Sequence, residues 1–316
     1  MAPRRLILDG SMGHTLKQRG LSDSFAEAAY ANLRQPELVT SVHSEFVAAG
    51  ADVLTTNSFV VTPFALARGR APWDPPSASE APRPEELAEL LHSAARCANE
   101  AAATATGRQV LVAGCLPPLA TCYRPEEVGT EQEMAATYQR LVAELSPRVD
   151  LFLAETLSCT TEARAALQAV GSAGKPCWLS LTLRDAHDAS LRGGEAVRAV
   201  LAALPTPPAA LLFNCCAPQA VTAALRALGP QPPALRTGGY ANGFRQTTSS
   251  WLAGGEQQLA SITCAAEHDA EGTITPEAYR AHAAQWVEAG ATVLGGCCGV
   301  GPEHIRRLAD LPETSS

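Results

Sequence analysis

Three kinds of segment are missing from this sequence, and each absence argues against a class of protein. No apolar run approaches the roughly 18 residues that a membrane-spanning helix requires, so no membrane association is expected. No stretch concentrates basic residues, and 24 lysines and arginines stand against 32 acidic residues, which argues against nucleic-acid binding. The apolar run Leu6–Leu8 is too short for the core of a signal peptide, so we expect a cytoplasmic protein.

Cysteine, by contrast, is abundant. The chain has ten cysteines, and a reducing compartment does not favour a disulfide framework. Catalysis, metal binding or burial must therefore account for these thiols. Free cysteine is among the most buried residue types, and we expect simple burial in the core for six of the ten: Cys97, Cys115, Cys122, Cys159, Cys177 and Cys264.

Short β-rich runs alternate along the chain with segments of helical periodicity. In one such segment, Leu38, Val42 and Phe46 share a helix face. Eight alternations predict an α/β protein, a single (β/α)8 TIM barrel over residues 1–316, in preference to an open doubly wound sheet. The eight predicted strands are Leu6–Leu8, Val53–Thr55, Val110–Ala113, Leu151–Ala154, Trp178–Leu183, Ala210–Phe213, Leu235–Gly238 and Thr292–Leu294.

The last long helix has clear start and stop signals. Thr275 can cap its N-terminus, Pro276 suits the first helical position, and Gly290 can end it. Two long connections, Val60–Pro84 and Tyr240–Gly272, follow predicted strands. They are interpreted either as lids over an active site or, for the proline-rich first one, as a solvated insertion.

The pair Cys297 and Cys298 lies between glycines where the eighth strand ends, and Cys215 follows the sixth strand. Because the carboxyl ends of barrel strands converge on one mouth, these three thiols can meet around one ion. Three sulfur ligands leave one tetrahedral position free, which is typical of a catalytic zinc site. The alternatives are burial in the core and, for the adjacent pair, a vicinal disulfide. Cys216 is expected to point away from this site.

Polar residues at other strand ends indicate an amino-acid ligand. Asp9 and Glu155 can pair with an ammonium group, and free backbone amides around Gly10 and Ser11 can bind a carboxylate. Asn57 follows the second predicted strand and is also a candidate to bind this ligand. In the alternative reading, Asp9 only caps the next helix and Glu155 joins an ion pair within the barrel.

Together these residues resemble the homocysteine S-methyltransferases, a family of (β/α)8 barrels with a zinc ion held by three cysteines. The resemblance runs nearly end to end. It implies that Cys215, Cys297 and Cys298 are the zinc ligands, that Asp9 and Glu155 hold the homocysteine amino group, and that Asn214 precedes the first ligand. The matching motifs are Leu8-Asp9-Gly10-Ser11-Met12-Gly13, Leu54-Thr55-Thr56-Asn57-Ser58-Phe59, Glu155-Thr156, Asn214-Cys215 and Gly295-Gly296-Cys297-Cys298-Gly299.

The resemblance implies a methyltransferase of class EC 2.1.1 that forms methionine from homocysteine and a sulfonium donor, S-methylmethionine or S-adenosylmethionine. A betaine-like or folate donor, or another thiol or selenol acceptor, is the alternative. A zinc hydrolase is disfavoured because no histidines show a ligand spacing such as H-x-H, and a zinc-storage or redox-sensing protein is the non-enzymatic alternative. Loop aromatics can contact a cationic donor: Phe59, Tyr123, Tyr240, Phe244 and Trp251.

Overall fold

The computed structural model describes residues 4–21, 25–68, 84–186, 188–245 and 265–312. Eight parallel strands form one sheet in the order β1-β8-β7-β6-β5-β4-β3-β2, which confirms the predicted barrel topology. The strands are β1 (Leu6–Ile7), β2 (Val53–Thr55), β3 (Leu111–Leu116), β4 (Leu151–Leu157), β5 (Cys177–Leu181), β6 (Ala210–Asn214), β7 (Arg236–Tyr240) and β8 (Val293–Leu294).

Backbone contacts between the first two strands close the sheet into a barrel. Leu8 forms a parallel bridge with Val53, and the Asp9 amide donates to the Val53 carbonyl over 3.0 Å. All eight predicted strands are present. The largest differences lie in β3 and β4, which continue to Leu116 and Leu157 where the predictions ended at Ala113 and Ala154.

Helices connect successive strands and cover the outside of the barrel. Within the described residues they are α1 (Met12–Gln18), α2 (Phe25–Arg34), α3 (Pro36–Ala48), α4 (Pro63–Arg68), α5 (Pro84–Ala102), α6 (Glu131–Leu145), α7 (Thr160–Gly171), α8 (Val197–Ala203), α9 (Pro218–Leu228), α10 (Pro276–Glu288) and α11 (Pro302–Ala309).

Helix α10 begins and ends as predicted. The Thr275 hydroxyl accepts a hydrogen bond from the Ala278 amide over 3.2 Å, and Pro276 is the first helical residue. Trp286 is fully buried on the face that packs against the barrel. Gly290 follows the helix with a φ of +98°, a conformation that glycine adopts without steric cost.

The barrel interior is layered because successive strand residues face opposite sides of the sheet. In β4, Leu151 and Leu153 belong to an apolar cluster inside the barrel, and the next inward position is Glu155. The same step of two places Cys115 above Ala113 in β3. The carboxyl end of the barrel is therefore lined by polar side chains above an apolar floor.

Parts of the two predicted lids lie outside the described residues, namely residues 69–83 and 246–264, together with Trp251 and Cys264. Among the described helices, none combines the length and the apolar character needed to cross a bilayer.

Candidate metal centre and active site

Three cysteine sulfurs meet at the carboxyl end of the barrel. The Sγ atoms of Cys215, Cys297 and Cys298 all lie within 4.8 Å of one another. Cys215 directly follows β6, and the other two follow β8. All three are free thiols, so the predicted convergence is present and the adjacent pair forms no disulfide.

Glycines allow the loop after β8 to turn tightly. A Cβ atom on Gly295 would lie 2.6 Å from Leu8 Cβ, and one on Gly296 would lie 2.0 Å from a methyl carbon of Val300. Neither position has room for a side chain. Gly299 adopts a φ of +80°, which reverses the chain just after Cys298. The backbone around the cysteine pair can therefore approach the barrel closely enough for both thiols to face Cys215.

The loop after β6 is held by a buried asparagine. Asn214 Oδ1 accepts hydrogen bonds from the Thr156 amide at 3.0 Å and from the Ser180 hydroxyl at 2.8 Å, and its Nδ2 donates to Thr156 Oγ1. Thr156 and Cys215 both adopt left-handed backbone conformations, with φ of 62° and 51°. Such conformations persist in non-glycine residues when surrounding contacts enforce them. Asn214 supplies these contacts and so links β4, β5 and β6 beneath the cysteines.

Hydrogen bonding among the three thiols shifts their pKa values in different directions. Hydrogen bonds from Cys215 and Cys297 hold the pKa of Cys298 well below its usual range, whereas hydrogen bonding with both partners raises the pKa of Cys297. In a tetrahedral site with Zn–S bonds of about 2.3 Å, sulfur atoms are roughly 3.8 Å apart. A separation of at most 4.8 Å needs only small side-chain movements to match that geometry. Three soft sulfur donors therefore fit a thiophilic ion such as zinc.

Two buried carboxyl groups lie at the same end of the barrel. Asp9 accepts hydrogen bonds from the amide and the hydroxyl of Thr55, at 2.8 and 3.0 Å. Burial raises the pKa of Asp9 to about 8, and the nearby Glu155 contributes to this increase. Burial likewise raises the pKa of Glu155 to about 7. Among the described residues neither carboxyl group forms an ion pair, so the structure provides no support for the alternative in which Glu155 joins one within the barrel.

Gly10, Ser11 and Asn57 were also predicted to bind substrate. A Cβ atom on Gly10 would lie 2.4 Å from the Val300 carbonyl oxygen, so the chain passes close to the cysteine loop at this point. The prediction of a free amide at Ser11 is wrong, because this amide donates to the same carbonyl oxygen over 2.8 Å. The Ser11 hydroxyl instead caps α1. Asn57 uses its side-chain amide to bind the Ala28 carbonyl and Asn32 Oδ1.

Comparison with known proteins agrees with this geometry. The family model for homocysteine S-methyltransferase matches residues 6–311. The chain belongs to the homocysteine S-methyltransferase family.

Two relatives and one solved structure show how far this similarity extends. The chain is 30% identical to a homocysteine S-methyltransferase of Escherichia coli (strain K12), over 96% of this chain and 94% of the relative. It is 27% identical to the homocysteine S-methyltransferase YbgG of Bacillus subtilis (strain 168), over 96% and 93% of the two chains. The metallated form of the homocysteine methyltransferase MmuM from Escherichia coli superposes with a TM-score of 0.75, at 25% identity over 97% of this chain and 96% of that one. The protein is therefore a methyltransferase of this family that acts on small molecules.

Two contacts of Glu155 were not predicted from sequence, because Cys115 was expected in the core and Tyr240 was expected to contact a cationic donor. The Cys115 thiol donates to Glu155 Oε1 over 3.0 Å, and the Tyr240 hydroxyl donates to Oε2 over 3.0 Å. Cys115 is buried as predicted, but it belongs to the polar layer rather than to the apolar core. Its position two residues after the inward-facing Ala113 is the sequence signal that could have placed it there.

The remaining described thiols are buried. Cys97, Cys122, Cys159 and Cys177 are at most 8% exposed, as predicted, and Cys216 is fully buried in the outer core rather than in the metal centre.

The aromatic candidates for donor contact occupy different surroundings. Phe244 is 39% exposed and lies next to the cysteine loop, because a Cβ atom on Gly299 would approach its ring within 3.1 Å. The ring of Tyr123 is covered on one side by the guanidinium of Arg192. The Tyr240 hydroxyl is hydrogen-bonded to Glu155. Phe59 packs against the core cluster of buried side chains.

Proposed function

We propose that this protein transfers a methyl group from a sulfonium donor, S-methylmethionine or S-adenosylmethionine, to the thiol of homocysteine, forming methionine. The observation that supports this proposal is the meeting of three cysteine sulfurs within 4.8 Å of one another at the end of the barrel that also carries two buried carboxyl groups. A site for a thiophilic metal lies beside a site for an ammonium group, and homocysteine carries both a thiol and an ammonium group.

In this proposal Cys215, Cys297 and Cys298 hold a zinc ion. When bound, zinc would supply Lewis acidity that lowers the pKa of a coordinated substrate thiol and makes it nucleophilic at neutral pH. The left-handed conformation of Cys215 and the glycine-lined turn before Cys297 bring the three sulfurs together. A zinc ion held by these three ligands would have a coordination position left for the substrate thiol. The reduced thiols that this site requires fit a cytoplasmic location.

Asp9 and Glu155 bind the ammonium group of homocysteine. In the protein without substrate their raised pKa values keep both groups partly protonated near neutral pH, and an incoming cation favours the ionised forms. Gly10, Ser11, Asn57 and Asn214 form the surrounding wall of the substrate site. At Gly10 the chain lies close to Val300 of the cysteine loop, because no side chain fits there. Asn214 holds the backbone next to Cys215.

The methyl transfer needs an in-line approach. A bond forms between the homocysteine sulfur and the methyl carbon, while the bond from that carbon to the sulfonium sulfur of the donor breaks. The electron pair of the broken bond remains on the donor sulfur, which leaves as a neutral thioether. The proton of the homocysteine thiol is lost. The barrel contributes orientation and exclusion of water. The half-exposed ring of Phe244, beside the cysteine loop, is suitably placed for contact with a cationic donor.

The deciding experiment uses the purified protein with its zinc content measured. It is incubated with homocysteine and, separately, with methyl-labelled S-methylmethionine, S-adenosylmethionine, betaine and methyltetrahydrofolate, and labelled methionine is quantified by mass spectrometry. We expect label from a sulfonium donor, with loss of both zinc and activity in Cys298→Ala.

The matched control is Cys177→Ala, which removes a buried thiol away from the cysteine triad and should keep both properties. A metal-free protein with full activity would refute the zinc site. Label from betaine or folate alone would refute the sulfonium donor, and hydrolysis without consumption of a thiol would indicate a hydrolase.

A further inference from the structure

A buried charged pair lies in the loop between β5 and α8. Arg192 and Asp185 have side chains that are only 6% and 5% exposed, and Arg192 Nη2 is 3.8 Å from Asp185 Oδ1. A buried guanidinium is costly unless its contacts compensate for the lost hydration. The contacts of Arg192 are therefore informative about why it lies there.

The guanidinium contacts two residues that adjoin the metal centre. Its carbon lies 5.0 Å from the centre of the Tyr123 ring, within the range of a cation–π interaction. Its Nε donates to Thr182 Oγ1 over 3.4 Å. Arg192 thus contacts the loop after β3 and the end of β5 with one planar group.

Both residues that Arg192 contacts also interact with Cys215. The Thr182 hydroxyl donates to the Cys215 carbonyl oxygen over 3.1 Å. On the other side, the Tyr123 hydroxyl interacts with the Cys215 side chain. Arg192 is therefore one residue removed from Cys215 along two separate routes, one to the backbone and one to the sulfur.

Tyr123 and Cys215 share an unusual backbone conformation. Their φ angles are 66° and 51°, in the left-handed region that residues with a side chain rarely adopt. Such residues relax when the contacts that hold them are removed. A relaxed Cys215 would carry its sulfur away from Cys297 and Cys298.

We propose that Arg192 is a positioning residue for the metal centre. Through Thr182 and Tyr123 it holds Cys215 in the conformation that brings its sulfur to the other two, and so makes the loop after β5 part of the zinc site without supplying a ligand. This inference rests on the proposed zinc site but not on the identity of the methyl donor.

The planar shape of arginine is part of the proposal. A guanidinium can stack on a ring with its face while its edge donates hydrogen bonds, whereas a lysine ammonium is a single point charge. Replacement of Arg192 with lysine should therefore keep the charge near Asp185 but lose one of the two routes to Cys215.

The test compares metal binding and folding in full-length Arg192→Lys, Arg192→Gln and Thr182→Val. Thr182→Ser is the conservative variant, because it keeps the hydroxyl that bonds to Cys215. Arg164→Gln is the matched control, since Arg164 is ion-paired with Glu131 over 2.6 Å on the outer helical layer. Zinc affinity is measured by competition with a chromophoric chelator, and cobalt-substituted protein is followed by its visible absorption. Thermal unfolding of the metal-free proteins reports folding.

We expect zinc affinity to fall on the order of tenfold or more in Arg192→Gln and in Thr182→Val, as for other residues that orient metal ligands. The sulfur-to-cobalt absorption should weaken in the same two variants, with a smaller effect in Arg192→Lys. Thr182→Ser and Arg164→Gln should bind as the unaltered protein does.

Unchanged zinc affinity and cobalt absorption in a folded Arg192→Gln protein would overturn the proposal. So would a loss of affinity in Arg164→Gln equal to that in Arg192→Gln, because the effect would then follow general destabilisation. Thr182→Val decides the question if Arg192→Gln does not fold. None of these measurements uses turnover, so the role of Arg192 can be tested even if the protein transfers a methyl group from none of the donors. If the unaltered protein binds no zinc, the proposed metal site itself is refuted.

Discussion

The thiol of Cys115 donates a hydrogen bond to Oε1 of Glu155 over 3.0 Å, at the carboxyl end of the barrel. On the other side of the same carboxyl group, Tyr240 donates to Oε2. These two donors lower the pKa of Glu155, while burial raises it and has the larger effect. Glu155 is thus fixed in orientation by two uncharged donors, and its negative charge is left for a cationic ligand.

Loss of the Cys115 thiol should weaken homocysteine binding. In Cys115→Ala, Glu155 Oε1 loses a donor, and a hydrogen bond to a charged group contributes about 1.5–3 kcal/mol. We expect the KM for homocysteine to rise about tenfold or more, with a smaller change in kcat. Steady-state kinetics at saturating donor measure this. Cys115→Ser restores a donor and should recover most of the affinity, and an unchanged KM in Cys115→Ala would contradict the assigned role of Glu155.

Homocysteine binding should strengthen as the pH rises from 6 to 8. The pKa values of Asp9 and Glu155 are raised to about 8 and about 7, so both groups are largely protonated and uncharged at pH 6. An uncharged carboxyl group cannot form an ion pair with the substrate ammonium group, and the attraction appears only as the protons are lost.

The measurement is the KM for homocysteine across this pH range, in the unaltered protein and in Glu155→Gln. In the variant the part of the profile near pH 7 should disappear, because the amide does not titrate. A profile that is flat in the unaltered protein would show that these carboxyl groups do not bind the ammonium group.

Removal of the Asn214 side chain should destabilise the fold and loosen the metal centre together. In Asn214→Ala the Thr156 amide and the Ser180 hydroxyl lose their buried acceptor, at a cost on the order of 3 kcal/mol. Urea unfolding of the metal-free protein measures the free energy, and chelator competition measures zinc affinity. Ser180→Ala removes only one of these bonds and should have a smaller effect on both. Full stability in Asn214→Ala would refute its role in holding Thr156 and Cys215.

Phe244 should matter for the donor and not for the acceptor. Its ring is 39% exposed beside Gly299, and a cation above an aromatic ring gains about 0.5–2 kcal/mol. Phe244→Leu keeps an apolar side chain but removes the aromatic face, so the KM for a sulfonium donor should rise several-fold while the KM for homocysteine stays the same. Phe244→Tyr should retain donor binding. Equal changes in both KM values would show that Phe244 only supports the loop.

Much of the architecture is predictable from local patterns. Each of the eight strands is a short β-rich run, and α10 carries its cap and its terminating glycine in sequence. The convergence of Cys215 with Cys297 and Cys298 follows from a general property of barrels, because residues that end parallel strands meet at one edge. These features depend on neighbouring residues and on strand order, both of which can be read along the chain.

Only the tertiary structure decided which polar groups pair across the barrel. Several contacts join distant parts of the chain. The Cys115 thiol donates to Glu155, and the Ser11 amide donates to the Val300 carbonyl oxygen. Arg192 contacts both Thr182 and Tyr123. A hydrogen bond requires two atoms within about 3 Å of each other, and that distance depends on register, barrel closure and loop conformation together. Residue type and spacing determine which functional groups lie at the strand ends, and tertiary packing determines which of these groups form hydrogen bonds with one another.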